Sequence, residues 1–271
     1  MPANYHTHTR RCQHAAGSDE AYVRSAMRNG FEELGFSDHV CWKYDSNYHP
    51  TMRMELRDFP GYKKSVRALQ KKYAGKISLL LGMEAEYFPR YMDWLLDFAV
   101  EQELDYLILG NHFKGSDEYG GYYGYTSLAG LKDYVDDAIA GMKTGMYSYL
   151  AHPDLPMRSP YLAWNEEAAA EFQRLIEAAK ELDIPLEYNG LGLQETLRTG
   201  HYGYPHPEFW KLAAANGNKA IIGMDAHHPD DLDHEIYDLA RRRLEKLGME
   251  IVEELPRVDF KALQTARQKT K

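Results

Sequence analysis

The sequence predicts an α/β protein built on a parallel sheet, and three observations carry that prediction. Short apolar or β-branched runs alternate with longer amphipathic stretches down the chain, the pattern of successive βα units. Seven such units follow one another with no Pro-, Gly- or Ser-rich divider, so one domain over 1–271 is expected. Six of the seven predicted strands end in His, Asp or Glu, and in a parallel barrel all strand C-termini open on one rim.

The predicted strands are 3–7, 32–37, 77–83, 105–110, 147–151, 184–189 and 219–224; the predicted helices are 19–29, 58–73, 90–103, 127–143, 165–182, 206–216 and 229–247. Ser18 before Asp19 and Glu20 is an N-cap followed by first-turn acids, and Gly30 stands where the helix end wants a left-handed residue. Asn165 before Glu166 and Glu167 repeats that start, and Pro207 suits a first helical turn. The Gly-Tyr segment 119–125 follows a strand and is a candidate lid over a site, or else an ordinary surface loop.

Composition narrows the function classes. Hydrophobic residues at 44% and charged residues at 27% are ordinary for a folded soluble chain and exclude a disordered one. A net charge of -9 argues against a nucleic-acid partner, which needs a basic face. The N-terminus does not read as a secretory signal and no apolar run approaches a membrane span, so no membrane partner and a cytoplasmic location are expected. Cys12 and Cys41 are too few for a disulfide framework and read as free thiols. The sequence leaves the oligomeric state open.

The ionisable residues then fall into place on the strand map. His6 and His8, at i and i+2 on an extended segment, point to one face. His14 lies in the following loop; His39, Glu84, His112 and His152 end the next strands, and Asp225 and His227 end the last. Seven of the twelve histidines gather on this rim, and nine ligands exceed what one tetrahedral ion takes. Imidazole and carboxylate, without cysteine, favour two or three divalent transition metals (Zn, Mn or Fe) over calcium or magnesium. Such centres suit hydrolysis of phosphate esters or amides. His112 stands where amide-hydrolysing barrels typically carry a modified lysine, so the phosphoester reading leads.

These motifs, His6-Thr-His8, His14, Ser37-Asp-His39, Gly82-Met-Glu84, Gly110-Asn-His112, Ala151-His152-Pro153 and Gly223-Met-Asp225-Ala-His227, resemble the polymerase and histidinol phosphatase (PHP) family, most closely its monofunctional histidinol-phosphatases. The resemblance implies a distorted (β/α)7 TIM-like barrel with a trinuclear centre at the C-terminal rim of the strands. It implies that His6, His8, Glu84 and Asp225 hold one metal, that Glu84 bridges to a second held by His112 and His152, and that His14, His39 and His227 hold the third. Asp225, Glu84 and His227 become the expected catalytic residues. The implied reaction is attack of a metal-bridging hydroxide on the phosphorus of a small phosphorylated substrate, L-histidinol phosphate first. Another small phosphomonoester and a nuclease activity are the alternatives, because the chain reads Tyr188-Asn-Gly-Leu-Gly-Leu193 where the branch usually has an Asn-Thr-Ser-Gly-like segment.

A phosphate dianion wants facing cations, and arginine's fork binds two oxygens. Arg158, six residues after His152, and Arg198, expected in the loop after strand 184–189, are the leading candidates, with Lys114 and Arg10 behind them. Asp45, Glu195 and the tyrosines of 119–125 are candidates for the imidazole and amino group of histidinol. His201 is a further candidate substrate contact; His49, His206, His228 and His234 read as structural, and 241–243 as a solvated helix face.

Overall fold

The computed structural model of the protein describes residues 2–201 and 203–269, so the outermost residues of the expected 1–271 domain, and Tyr202, lie outside the described residues. Strands β1 (Ala3–Asn4), β2 (Glu33–Phe36), β3 (Ser78–Ala85) and β4 (Tyr106–Leu109) pair in sequence order, every pair parallel. Strands β5 (Leu186–Asn189), β6 (Lys219–Gly223) and β7 (Glu250–Ile251) form a second parallel sheet. Leu150 bridges Leu109 to Leu186, and Thr7 pairs with Ala226. Those bridges join the sheets at both edges, so β1 to β6 and the segment 147–151 form the seven-membered ring of a distorted barrel. The expected strand 147–151 keeps its place but forms only isolated bridges, with Leu150 N donating to Pro185 O at 3.0 Å and Ala151 N to Leu109 O at 2.9 Å. The short β7 was not foreseen; it pairs with the Lys219 end of β6, at the opposite end from the site.

Helices α1 (Asp19–Arg28), α2 (Phe59–Lys72), α3 (Met92–Glu101), α4 (Leu128–Lys143) and α5 (Glu166–Glu181) follow the expected order. The Ser18 and Asn165 side chains cap α1 and α5 as expected, accepting from Ala21 N and Ala168 N, and Gly30 takes a φ of +75°. Then come α6 (Gly190–Thr199), α7 (Pro207–Asn216), α8 (His234–Lys246) and α9 (Phe260–Gln268). The helices expected to begin at 90 and 229 begin at Met92 and His234, because 3-10 turns at Pro89–Tyr91 and Pro229–Asp231 precede them. Neither α6 nor α9 was expected. Two glycines disguise the start of α6, yet Asn189 Oδ1 accepts from Gly192 N at 2.9 Å to cap it, and a Cβ on Gly192 would collide with the Tyr204 carbonyl. Among the described residues no helix is long and apolar enough to cross a membrane.

Strand parity decides what lies inside the ring. On β3 the odd residues Leu79, Leu81 and Met83 belong to the main core, while Leu80 joins Tyr5, Tyr106, Ile108, Tyr149, Ala151 and Ile221 in a smaller cluster inside the ring. Tyr106 is fully buried there, with its hydroxyl donating to Tyr5 O at 2.8 Å, and its ring occupies the space a Cβ on Gly35 or Gly82 would need. Two residues beyond Gly82, on the same face, stands Glu84. The aromatic packing is thus a floor, and the polar residues begin where it ends.

Candidate metal centre

His6 and His8 follow β1 with Thr7 between them, and the Thr7–Ala226 pairing turns both imidazoles to the ring axis. His39 pairs with Glu84 across the ends of β2 and β3. His112 follows β4, His152 follows segment 147–151, and Asp225 and His227 follow β6. His152 and Asp225 hold φ angles of +30° and +52°, a region costly to residues with a Cβ. Gly110 makes room for Glu84: a Cβ there would overlap Glu84 Oε1. Gly223 does the same for Glu187.

The structure brings all nine expected ligands together. His6 Nε2 lies 3.5 Å from Glu84 Oε2 and 3.4 Å from Asp225 Oδ1, and His8 Nε2 lies 3.4 and 3.2 Å from the same two oxygens. Glu84 Oε1 faces His112 Nε2 at 3.4 Å and His152 Nε2 at 2.9 Å, while Oε2 is 2.9 Å from His39 Nδ1. His14 Nε2 and His227 Nε2 are 3.0 Å apart at the outer edge, and the His14, His39 and His227 ligand atoms lie within 4.8 Å of one another.

Which nitrogen of each ring carries hydrogen follows from the partner of the other nitrogen. A carbonyl can only accept, so His14 Nδ1 donates to Cys12 O at 2.8 Å and His227 Nδ1 to Asp225 O at 2.9 Å. Their Nε2 lone pairs then face each other. Glu187 Oε1 lies 2.7 Å from His6 Nδ1 and Glu86 Oε1 lies 3.3 Å from His112 Nδ1, so with Nδ1 as the donor the inward nitrogens of neutral His6 and His112 point lone pairs at carboxylate oxygens. Lone pair against lone pair is repulsive unless a proton or a metal cation sits between, and a shared metal would satisfy several of these contacts at once. His6 Nε2, His8 Nε2, His39 Nδ1 and Glu84 Oε2 are buried with no hydrogen-bond partner. Two donors each about 2.1 Å from one tetrahedral ion stand about 3.4 Å apart, so the nitrogen–oxygen separations fit shared ions.

Charge tells the same story. Burial opposes ionisation of Glu84 and Asp225, yet the facing imidazoles, His112 and His6 foremost, hold both carboxyls well below the usual range. Burial also opposes a charge on His6 and His8; for His6 the carboxylates Glu187, Asp225 and Glu84, and for His8 the neighbouring carboxylates Asp225 and Asp38, outweigh it and hold both rings well above theirs. The inner face therefore demands positive charge. His39 and His227 go the other way, His39 well below its ordinary value and His227 to about 3, through burial and the neighbouring His8.

Sequence reasoning missed the residues that hold the ligands. Glu187 Oε2 accepts from His152 N and from Asn189 Nδ2, each at 2.9 Å, and Asn189 Nδ2 also reaches Asp225 Oδ2 at 3.1 Å. Glu187 ends a strand like the ligands do, and that position was its one signal. Cys12, which the expected donor set did not include, is fully buried with its sulfur within 4.8 Å of the ligand atoms of His8 and His227, and so adds a candidate donor. Burial works against its ionisation, but hydrogen bonds with His14 and His8 bring the thiol below its ordinary value.

The expected substrate contacts separate. A cavity of about 220 Å³ opens over the centre, walled by Tyr122, Tyr204, Leu155, Leu191 and Arg158. Arg158 Nη1 reaches the Tyr122 hydroxyl at 3.4 Å. Arg198 does not line this cavity: it sits on α6 rather than in a loop, exposed, and bonds Glu195 at 2.7 Å. Lys114 is also turned away, pairing with Asp133 of α4 at 2.6 Å. His201 lines an adjoining cavity of about 460 Å³ with Glu195, Thr196 and Thr199, and Arg158 and Tyr204 are common to both. The 119–125 segment is pinned at its C-terminal side, through a Phe113–Tyr122 bridge and Tyr123 N donating to His112 O at 2.8 Å.

The sequence model of the PHP domain matches residues 4–191. A Deinococcus radiodurans protein named "Probable histidinol-phosphatase" is 26% identical over 245 residues, covering 87% of this chain and 90% of the relative. Histidinol-phosphatase of Bacillus subtilis is 24% identical over 265 residues, covering 84% and 94%. The structure of a histidinol phosphate phosphatase from Lactococcus lactis, complexed with zinc, L-histidinol and phosphate, superposes with a TM-score of 0.69 at 20% identity, over 92% of this chain and 95% of that one, which establishes the common fold. With the match of the family model running through the ligand-bearing strand ends from His6 to His152, this chain belongs to the PHP domain family.

Proposed function

We propose that this protein is a metal-dependent phosphomonoesterase that hydrolyses L-histidinol phosphate to L-histidinol and phosphate. One observation carries the reading: four imidazoles with Nδ1 tied down, so that their Nε2 lone pairs converge on two carboxylates and on each other beneath a cavity walled by an arginine. The named relatives, similar over most of their length, support the substrate. His6, His8, His14, His39, Glu84, His112, His152, Asp225 and His227 would hold two or three divalent ions, zinc, manganese or iron. When bound, such ions lower the pKa of water and polarise phosphoryl oxygens.

The chain's own residues supply the rest. Glu84, whose two oxygens face different imidazoles, would help to hold more than one ion. Asp225 presents Oδ1 to His6 and His8 while Asn189 holds Oδ2, so its carboxylate is held in one orientation and would serve as a metal ligand of the catalytic centre. His227 closes the outer edge, its Nδ1 committed to a backbone carbonyl and its Nε2 left to the centre. Arg158 lines the cavity, and its guanidinium would take two phosphoryl oxygens. Tyr122 and Tyr204, both half-buried, would limit water at the cavity wall. The leaving alcohol has the adjoining cavity with Glu195 and His201 open to it.

Rates on histidinol phosphate, an aryl phosphate and single-stranded DNA, measured with metal-loaded protein, test this reading. A strong preference for the first is expected. Equal rates on the two monoesters would remove the histidinol assignment, and turnover of DNA alone would replace it with a nuclease.

A further inference from the structure

Arg53 lies in the long connection between β2 and α2, where a surface arginine is the ordinary expectation, yet its side chain is fully buried. Every nitrogen of its fork is used. Nη2 donates to Glu86 Oε1 at 2.6 Å, Nη1 to Glu86 Oε2 at 3.0 Å and to Val40 O at 3.2 Å, and Nε to Asp117 Oδ2 at 2.9 Å. Trp42 Nε1 also donates to Glu86 Oε2 at 3.1 Å, and the Tyr44 hydroxyl faces Asp117 Oδ1 at 2.8 Å. One guanidinium thus meets two buried carboxylates, which leaves a surplus negative charge. The oxygen carrying it toward the centre is Glu86 Oε1, shared between Arg53 and His112 Nδ1. A carboxylate behind a ligand imidazole fixes its tautomer and ring plane and raises its basicity.

The other end of the network sits in the segment that carries the cavity wall. Asp117 lies between Phe113 and Tyr122, the two residues that bridge to form the base of that hairpin, and Tyr122 faces the cavity. Tyr123 N, bonded to His112 O, closes the circuit through the backbone. We propose that Arg53 is a positioning residue: gripping Glu86 and Asp117 at once, it fixes the imidazole of His112 for metal binding and couples that ligand to the cavity-wall segment 113–126. The proposal rests on the reading of His112 as a ligand.

The test is zinc titration of the metal-stripped, full-length protein against a chromophoric chelator, with thermal melts to show that each variant is folded. The visible spectrum of the cobalt-loaded protein reports the ligand geometry independently of turnover. His112→Ala should lose one binding step outright. Glu86→Gln and Arg53→Met should keep the step and weaken it about 10–100-fold, with a shifted cobalt spectrum. Asp117→Asn, which touches no imidazole, should weaken it roughly 3–10-fold. Arg53→Lys keeps the charge without the fork and should restore the melting temperature more than the affinity. If Arg53→Met does not fold, Glu86→Gln and Asp117→Asn decide the matter. Wild-type zinc binding in His112→Ala would sink the ligand reading. A lost step in His112→Ala, with wild-type affinity and spectrum in folded Glu86→Gln and Asp117→Asn, would overturn the positioning role alone.

Discussion

The floor of the site and its wall are built by different rules. On the floor, side chains leave strand ends at positions set by parity, four of the seven imidazoles are tied by a second group, and Glu84 and its partners are nearly inaccessible to solvent. On the wall, the candidates for substrate contact come from loops and from α6, and two of the four, Arg198 and Lys114, are exposed and satisfied by neighbouring acids. The chemistry is held by the barrel; the choice of substrate is left to segments that can change without disturbing it.

The largest effect should come from the floor. Glu84→Gln alters the one side chain that faces five of the imidazoles, and turnover should fall by about 10³-fold or more with loss of bound metal, measured by steady-state rates and elemental analysis. Retained activity would break the distinction between floor and wall. Beneath it, Tyr106→Ala should cost about 3–5 kcal/mol of stability, read by denaturant unfolding of the metal-free protein, since the ring fills the barrel interior. On the wall, Arg158→Met should raise KM roughly 10–100-fold, with a smaller change in kcat, as expected for loss of a charge-assisted phosphate contact. Arg198→Met should change stability by no more than about 0.5 kcal/mol and leave KM within about two-fold. A larger effect would mean that α6 moves on binding.

Acid should separate the regions as well. His6, His8 and His152 are held above their ordinary value, so in the metal-free protein each contributes stability that is present below the ordinary histidine range and is lost as pH rises through its raised value. Glu84 and Asp225 are held below theirs, and their contribution is present above the ordinary carboxylate range and disappears as pH falls through the depressed values. Metal must displace the histidine protons. Zinc binding should therefore release protons and weaken as pH falls, which calorimetry in buffers of different ionisation heat would show. Proton-independent binding would place the ions elsewhere.

The same division explains what could be read from the sequence. Strand order and eight of the nine candidate ligands followed from periodicity and from residue types at strand ends, both local signals, with His14 in the loop beside them. Segment 147–151 was visible for the same reason, although its bridges are too sparse to make a regular strand. Glu187, Cys12 and Arg53 escaped because what marks each is a partner distant in sequence: Glu187 meets His6 across 181 residues, and Arg53 meets Asp117 across 64. Helix α6 was concealed by glycines whose poor helix propensity is overridden by the close approach of Tyr204. Arg198 was misplaced as a consequence, since the loop expected to aim it at phosphate is a helix that aims it outward.

His152 and Asp225 carry a cost that no other residues of the centre share. Holding a Cβ at φ +30° and +52° takes on the order of 1–3 kcal/mol each, which a glycine would avoid. Replacing either by glycine would relax the backbone and delete a ligand in one step. A laboratory selection for heat resistance, run without asking for turnover, would on this view drift toward a sturdier barrel that has given up its catalysis.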